Sequence, residues 1–364
     1  RKDKTERYKE TGVISKTAND YDVATKSIWE TIVNPITYRH ITGEIQIRDD
    51  DFKNQRMRIL EDDIYYENKG HFREAQTQPM KTFHNHMVKN KSLISRLKNV
   101  SVRRLLDPTF GQGGDLKKYS NAGITTVLGY DLSSNNIYAK RGGANSRLYN
   151  EFVKDDNNPK KSMKGGLPWK YVFLPLDFSI PLSKSIQKIE NGKKSKGKEE
   201  GEDDDDLQLL LWGRKDTKTS VLVPFKNLAT KPFDAVSIQF ALHYFFGSRS
   251  ALNACLDNIS MTLADGGYFI GTCFDGQQVD DAFTNANTNV LEGTKNNKVI
   301  WRINKKYDGK FNPKTADLGK KIGVYVETIN DRENDEYLVG FDFLIAELKK
   351  RKIRLANTKE CEIL

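Results

Sequence analysis

The stretch Gly111-Gln-Gly-Gly-Asp115 follows closely on an apolar run, Arg104 to Leu106. Glycines at 111, 113 and 114 permit positive φ and let a ligand reach backbone N–H groups that a Cβ would shield. Such a turn suits a pyrophosphate or the methionine part of S-adenosylmethionine, because both are held by main-chain donors. Asp131 ends the run Thr125-Thr-Val-Leu-Gly-Tyr-Asp131, where a carboxylate accepts two hydrogen bonds from a ribose diol. Asp177 ends the run that starts at Lys170, in position to accept from an adenine amino group. Adenosine is the common answer, and NAD and S-adenosylmethionine both carry it. The turn lacks the Gly-x-Gly-x-x-Gly spacing of dinucleotide sites, which favours the methyl donor. Further on, Gln239-Phe-Ala-Leu-His-Tyr-Phe-Phe246 sets His243 and Tyr244 at an apolar strand end, where their polar tips need partners.

Elements must place these groups on one rim. The pattern predicts a strand at 103–107, a helix at 115–121 with Asp115 as N-cap, and a strand at 125–131. A helix opening at Ser133 or Ser134 follows, then strands at 170–177 and 233–239, a helix at 249–264 and a strand at 267–272. This βα alternation predicts an α/β fold with a doubly wound sheet. After 280 the rhythm changes: 299–303 and 322–328 alternate like antiparallel strands, and 342–350 reads as a helix. Upstream, 19–33 reads as a helix stopped by Asn34-Pro35, 42–58 as a linker and 59–98 as helical. The charged run at about 184–206 cannot bury apolar area and is expected to be a mobile solvated insertion.

With 37% apolar residues, the 364-residue chain is long enough for one large or two modest cores, and it has no transmembrane run. Its cysteines, Cys255, Cys273 and Cys361, are far apart and form neither a zinc pattern nor a disulfide framework, so a reducing compartment and no metal are expected. A net charge of +10 favours a polyanionic partner, nucleic acid above all.

Together, Leu106-Asp-Pro-Thr-Phe-Gly-Gln-Gly-Gly-Asp-Leu116, Gly129-Tyr-Asp131, Gln239 to Tyr244, Gly266-Gly-Tyr-Phe-Ile-Gly-Thr272 and Asp335-Glu-Tyr-Leu-Val339 resemble the mRNA cap guanine-N7 methyltransferase family. Phe83-His-Asn-His-Met-Val-Lys89 resembles its N-terminal helix, particularly in capping enzymes of large DNA viruses. The likeness covers about residues 60–345. Residues 1–45 resemble the end of a guanylyltransferase (OB-fold) domain, which would leave 46–364 as the methyltransferase domain of a multifunctional capping enzyme.

The resemblance implies a class I S-adenosylmethionine-dependent fold, Rossmann-like, with an antiparallel C-terminal extension. Lys89 would hold the donor carboxylate, with Lys91 as the alternative. Gly111, Gly113 and Asp115 would surround the methionine part, Asp131 the ribose, and Asp177 with the main chain at Gln239 and Phe240 the adenine. No residue would act as acid or base; His243, Tyr244 and Glu336 would position the cap guanine, and Gln112, Arg147 and Phe274 would complete the cap and RNA contacts. Implied partners are the capped RNA 5′ end, upstream triphosphatase and guanylyltransferase domains and a stimulatory subunit, with no membrane. The implied location is cytoplasmic, in a viral factory or virion, or nuclear in a cellular protein.

The chain departs from the family pattern at Gln112, where lysine is usual, at Thr109, where glycine is common, and at Phe274, where a proline lines the guanine pocket. The segment from Phe83 is one residue longer before Leu93, and the family's C-terminal strand with its aromatic cap contact is not evident. These departures motivate the alternatives, a catalytically weak RNA- or partner-binding module or a methyltransferase for another RNA.

Overall fold

The computed structural model describes residues 75–153, 169–196, 204–329, 332–357 and 360–361. All lie within one unit, Ile64–Leu364. The guanylyltransferase reading of 1–45, the helix expected at 19–33 and the linker at 42–58 fall outside the described residues.

Five parallel strands form the central sheet in the order β3-β2-β1-β4-β5. They are β1 (Arg104–Asp107), β2 (Thr126–Asp131), β3 (Lys170–Pro175), β4 (Phe233–Gln239) and β5 (Leu263–Thr272). This is the expected doubly wound α/β sheet, with the chain reversing direction of travel between β1 and β4. Strands β1 to β4 read as largely apolar runs because both faces are covered. Their period of two sorts the side chains cleanly. Leu105, Val127, Tyr171, Phe173 and Ala235 face one core with Ile94, Leu97, Leu116 and Tyr119. Leu106, Leu128, Val172, Leu174 and Val236 face the other with Leu252, Leu256, Ile259 and Phe343.

Among the described residues the α-helices are α1 (Gln78–Phe83), α2 (Leu116–Asn121), α3 (Ser134–Tyr138), α4 (Ala144–Leu148), α5 (Leu182–Lys196), α6 (Asp204–Leu211), α7 (Arg249–Thr262), α8 (Gly276–Ala286) and α9 (Phe341–Lys350). Helix α1 runs into a π-helical stretch, His84–Lys91. A π turn takes up more residues than an α turn. Lys89 lies in this stretch and pairs with Asp115. Ser133 caps α3 as expected, its side chain accepting from Asn136 N–H.

Of the charged run expected at about 184–206, the described residues are helical over 182–196 and again from Asp204. Leu182 and Ile186 are buried while Lys184 and Lys188, good helix formers, take the outer face. Asn258 of α7 secures the entry to α5: its Oδ1 accepts from Leu182 N–H at 2.8 Å, and its Nδ2 donates to Phe178 O and Ile180 O at 3.2 and 2.9 Å. Asn258→Ala leaves these buried groups unpaired and is expected to cost roughly 2–4 kcal/mol in denaturant unfolding; a loss under about 1 kcal/mol would mean that water replaces the amide.

A second sheet is antiparallel, in the order β6-β7-β8-β9, built from β6 (Val290–Lys295), β7 (Lys298–Lys305), β8 (Lys321–Val326) and β9 (Asn334–Tyr337). Helix α8 packs Val279 and Phe283 on Ile322 and Val324 of β8. Gly247, after β4, touches Tyr337 so closely that a Cβ there would meet the ring at 2.8 Å. Glycine thus lets β9 approach the end of the parallel sheet.

Candidate active site

The glycine turn sits at the carboxyl end of β1. Gly111 and Gly113 have φ of +57° and +75°, and a Cβ on Gly111 or Gly114 would point into open space. A stacked pair of rings, Phe110 on Phe173 at 4.1 Å, supports the turn from below. Asp131 closes it: Oδ2 accepts from Gly111 N–H at 2.7 Å, and Oδ1 from Ser133 N–H at 2.9 Å and Asn136 Nδ2 at 3.1 Å. With 1% of its surface exposed, Asp131 orders the turn before any ligand arrives.

Asp115 stands at the N-cap position of α2, as the sequence suggested, but its side chain makes no cap hydrogen bond. It pairs with Lys89 Nζ at 3.0 Å and Lys118 Nζ at 2.6 Å. Burial works to raise its carboxyl, but the two ammonium groups outweigh it and hold the group below its usual range. Lys91, by contrast, is exposed. Lys89 also lies over the Phe240 ring, 5.4 Å from its centroid. Phe240 takes φ of +55°, a conformation that strains a bulky residue. Its N–H donates to Thr272 O at 2.9 Å and Oγ1 at 3.0 Å.

From there a chain of buried hydrogen bonds crosses the sheet. Thr272 Oγ1 donates to Gln239 Oε1 and Gln239 Nε2 to Ser237 Oγ, both at 3.1 Å. Tyr119 OH stands 3.1 Å from Ser237 Oγ and 2.7 Å from Asp107 Oδ2. One consistent proton arrangement has Ser237 donate to Tyr119 and Tyr119 donate to Asp107. Burial pushes the Asp107 carboxyl up to about 7, with Tyr119 and Thr109 N–H pulling the other way. Removing the hydroxyl with Tyr119→Phe is expected to cost roughly 1–3 kcal/mol. Unfolding at pH 6 and pH 8 should show the larger loss at pH 8, where the ionised carboxylate lacks its donor; equal losses would count against this reading. The sequence alone does not single out Asp107 and Tyr119, although Asp107 ends its strand as Asp131 does. Thr109 Oγ1, beside them, is buried with no hydrogen-bond partner.

Asp177 lies two residues past β3 and spends its Oδ1 on Ser179 N–H and Oγ, at 2.8 and 2.5 Å. The structure therefore shows it as a turn residue on the same rim, without a link to the other carboxylates.

Across the rim, His243 stands in a tight turn, Leu242–Gly247, with its ring edge-on to Tyr244 at 4.2 Å. Glu336 comes from β9, opposite Ile322. Its Oε2 is 3.6 Å from His243 Nε2, beyond hydrogen-bond reach. Both His243 nitrogens and this oxygen are buried without hydrogen-bond partners. Burial pushes Glu336 up to about 8 and His243 down to about 3, so near neutrality both hold their uncharged forms. Cys273 joins this pocket: burial, with Asp275 and Glu336 adding to it, lifts its thiol to about 12. Phe274, next to it, is 38% exposed. Gln112 is half-buried on the glycine turn. Arg147, on α4, donates Nε to Gly142 O at 3.1 Å. Lys81 of α1 is lowered by burial and by the nearby Arg147, so a second cation stands near Arg147.

Residues 185–362 match the family model of the mRNA (guanine-N(7))-methyltransferase domain. Over that stretch, a little under half of the chain, the sequence is similar to this family. The methyltransferase match takes in His243, Tyr244, Phe274 and Glu336; the glycine turn lies upstream of it. A "Probable mRNA-capping enzyme" of Acanthamoeba polyphaga mimivirus is 26% identical over 344 residues, 92% of this chain and 26% of that protein. An "mRNA cap guanine-N(7) methyltransferase" of Meyerozyma guilliermondii is 32% identical over 117 residues, 30% of this chain and 19% of that one. Its counterpart in Candida glabrata is 25% identical over 238 residues, 64% of this chain and 44% of that one. The chain thus spans about a quarter of the mimivirus relative and under half of the two yeast relatives.

Proposed function

We propose that this chain transfers a methyl group from S-adenosylmethionine to N7 of the guanine that caps an mRNA. The observation that carries the reading is the Glu336–His243 pocket: three buried polar atoms with no hydrogen-bond partner. A protein leaves such groups unpaired where a ligand supplies the missing bonds. Guanine fits, because its N1–H and N2–H₂ offer two donors to one carboxylate.

The residues present also fit the donor. The glycine turn leaves open space for it, Asp131 preorganises the N–H of Gly111, Thr109 offers an unpaired hydroxyl, and Lys89 with Asp115 supplies both charges beside the turn. Lys89, Gly111, Gly113 and Asp115 would hold its methionine end, Asp131 its ribose, and Asp177, Gln239 and the Phe240 main chain its adenine. When bound, the sulfonium supplies an electrophilic methyl group.

Guanine N7 carries a free lone pair at neutral pH, so no side chain needs to take a proton. The protein's work is placement in a dry, shaped site. As N7 is alkylated the base becomes positive, and Glu336 faces that charge at low local dielectric, favouring the transition state over the ground state. Arg147 and Lys81, with Gln112 at the turn, would meet the cap phosphates.

Incubation with GpppG-capped RNA and labelled donor is expected to place label on N7 of the cap guanine. Donor binding without label on the cap would sink the reading and leave a weak RNA- or partner-binding module; label on uncapped RNA would point to another RNA substrate. In this reading the chain works beside triphosphatase and guanylyltransferase domains of one polypeptide, with 1–45 ending the latter. A stimulatory subunit, and a viral-factory or virion location or a nuclear one in a cell, complete the proposal.

A further inference from the structure

The parallel strands place their amino ends along the edge opposite the glycine turn. At that edge a cavity of about 200 Å³ is lined by Arg104 of β1, Thr125 before β2, Lys170 of β3, and Lys226, Asn227 and Lys231 from the segment before β4. Cations, hydroxyls and an amide converge there, and no carboxylate among the described residues lines it. Arg104 is held in place: Nε donates to Pro232 O at 3.2 Å, and Nη2 to Leu228 O at 2.7 Å and Lys231 O at 3.1 Å. Its guanidinium lies over the Phe233 ring, 5.1 Å from the centroid. Asp234, which acts electrostatically on Arg104, already accepts the N–H groups of Arg103 and Arg104 with Oδ2, at 2.8 and 2.9 Å. Lys226 has an ion pair at 2.8 Å, but with Asp216, whose side chain is 75% exposed. Among the described residues Lys170 and Lys231 have no carboxylate partner and are exposed.

A concave group of cations around donors, without acids, is the chemistry of a phosphate site. We propose that this cavity binds backbone phosphates of the RNA body, well away from the pocket that takes the cap. This rests on the reading that the substrate is RNA. With a strand rise of about 3.3 Å per residue, the length of β2 puts this edge roughly 20 Å from the glycine turn. Only an RNA several nucleotides long reaches both, so the site adds affinity for long transcripts and none for a cap dinucleotide.

The test is Lys170→Glu with Lys231→Glu in the full chain, with Lys170→Ala and Lys231→Ala as the milder pair and thermal melting as the check of folding. Anisotropy with a long uncapped RNA is expected to show affinity about tenfold weaker, with a log–log salt slope shallower by about 1.4 for two lost phosphate contacts. Michaelis constants for GpppG and affinity for the donor should not change. Folded variants with unaltered RNA affinity would overturn the proposal. So would a change seen only in competition by inorganic phosphate, which would mark the cavity as a site for the free anion. If the chain methylates no cap yet the double variant loses RNA affinity, the methyltransferase reading fails and this site stands.

Discussion

Glu336→Gln is expected to lower kcat/KM for cap methylation by about 10²–10³, the usual effect of losing one preorganised group that stabilises transition-state charge. Donor affinity should be unchanged, because Glu336 faces His243 and not the glycine turn. The amide keeps the shape but puts an N–H₂ where guanine presents its own donors. Burial lifts the Glu336 carboxyl to about 8, so the reactive carboxylate is the minor form at neutral pH. In the wild type, kcat/KM for capped RNA should therefore rise with pH and level off above about 8; the variant should lack that limb.

Stability should move the opposite way. Between about 4.5 and 8 the folded state keeps a proton on Glu336 that the unfolded chain has lost. The stabilisation is complete below the lower value and is lost as pH rises through the upper one. Glu336→Gln should accordingly melt higher than the wild type at pH 9 while being far less active. A variant that is both inactive and unstable at pH 9 would contradict a functional role for the buried charge. Asp107 carries the same sign, whereas His243 carries the reverse: its folded value of about 3 lies under the ordinary 6.5, so stability is gained as pH rises across that window.

The second large effect is expected at Asp131. Asp131→Ala strands the N–H of Gly111, the N–H of Ser133 and the Asn136 amide in a buried place. At roughly 1–3 kcal/mol for each unpaired group, tempered by local relaxation, the loss should come to about 3–5 kcal/mol. Calorimetry should show donor affinity at least about 100-fold weaker, since the turn loses its anchor and, in the proposed reading, the donor its ribose acceptor. Asp177→Ala is the contrast: its hydrogen bonds run to Ser179, two residues on, so a few-fold loss of donor affinity is expected with little change in stability. If the two substitutions behave alike, the primacy given to Asp131 is wrong.

Much of the parallel sheet is legible in the amino-acid sequence, because its signals are local. Strand β4 covers 233–239, the residues read as a strand, and the expected positive φ occurs at Gly111 and Gly113. Ser133 caps its helix because an N-cap needs only a side chain and an N–H three residues on. Charge density at about 184–206 gives no hint of helix 182–196, which the spaced, buried Leu182 and Ile186 anchor.

Contacts between distant residues need the fold. Nothing near Asp115 in sequence announces that Lys89 will neutralise it, 26 residues away and through a π-helical turn. The chain from Phe240 to Asp107 joins three strands and a helix, and no spacing rule encodes that. The pocket shows the division most clearly. His243 and Glu336 can each be picked out as polar groups at apolar strand ends, but sequence carries no distance between them. Packing of β9 against the turn at Gly247 sets that distance, and burial then moves both groups' proton affinities. The amino acids thus determined which groups can accept, donate and bend, since these are properties of single residues and near neighbours. Tertiary structure decided which of them meet and how dry the meeting place is, because proximity and desolvation arise only when remote segments pack together.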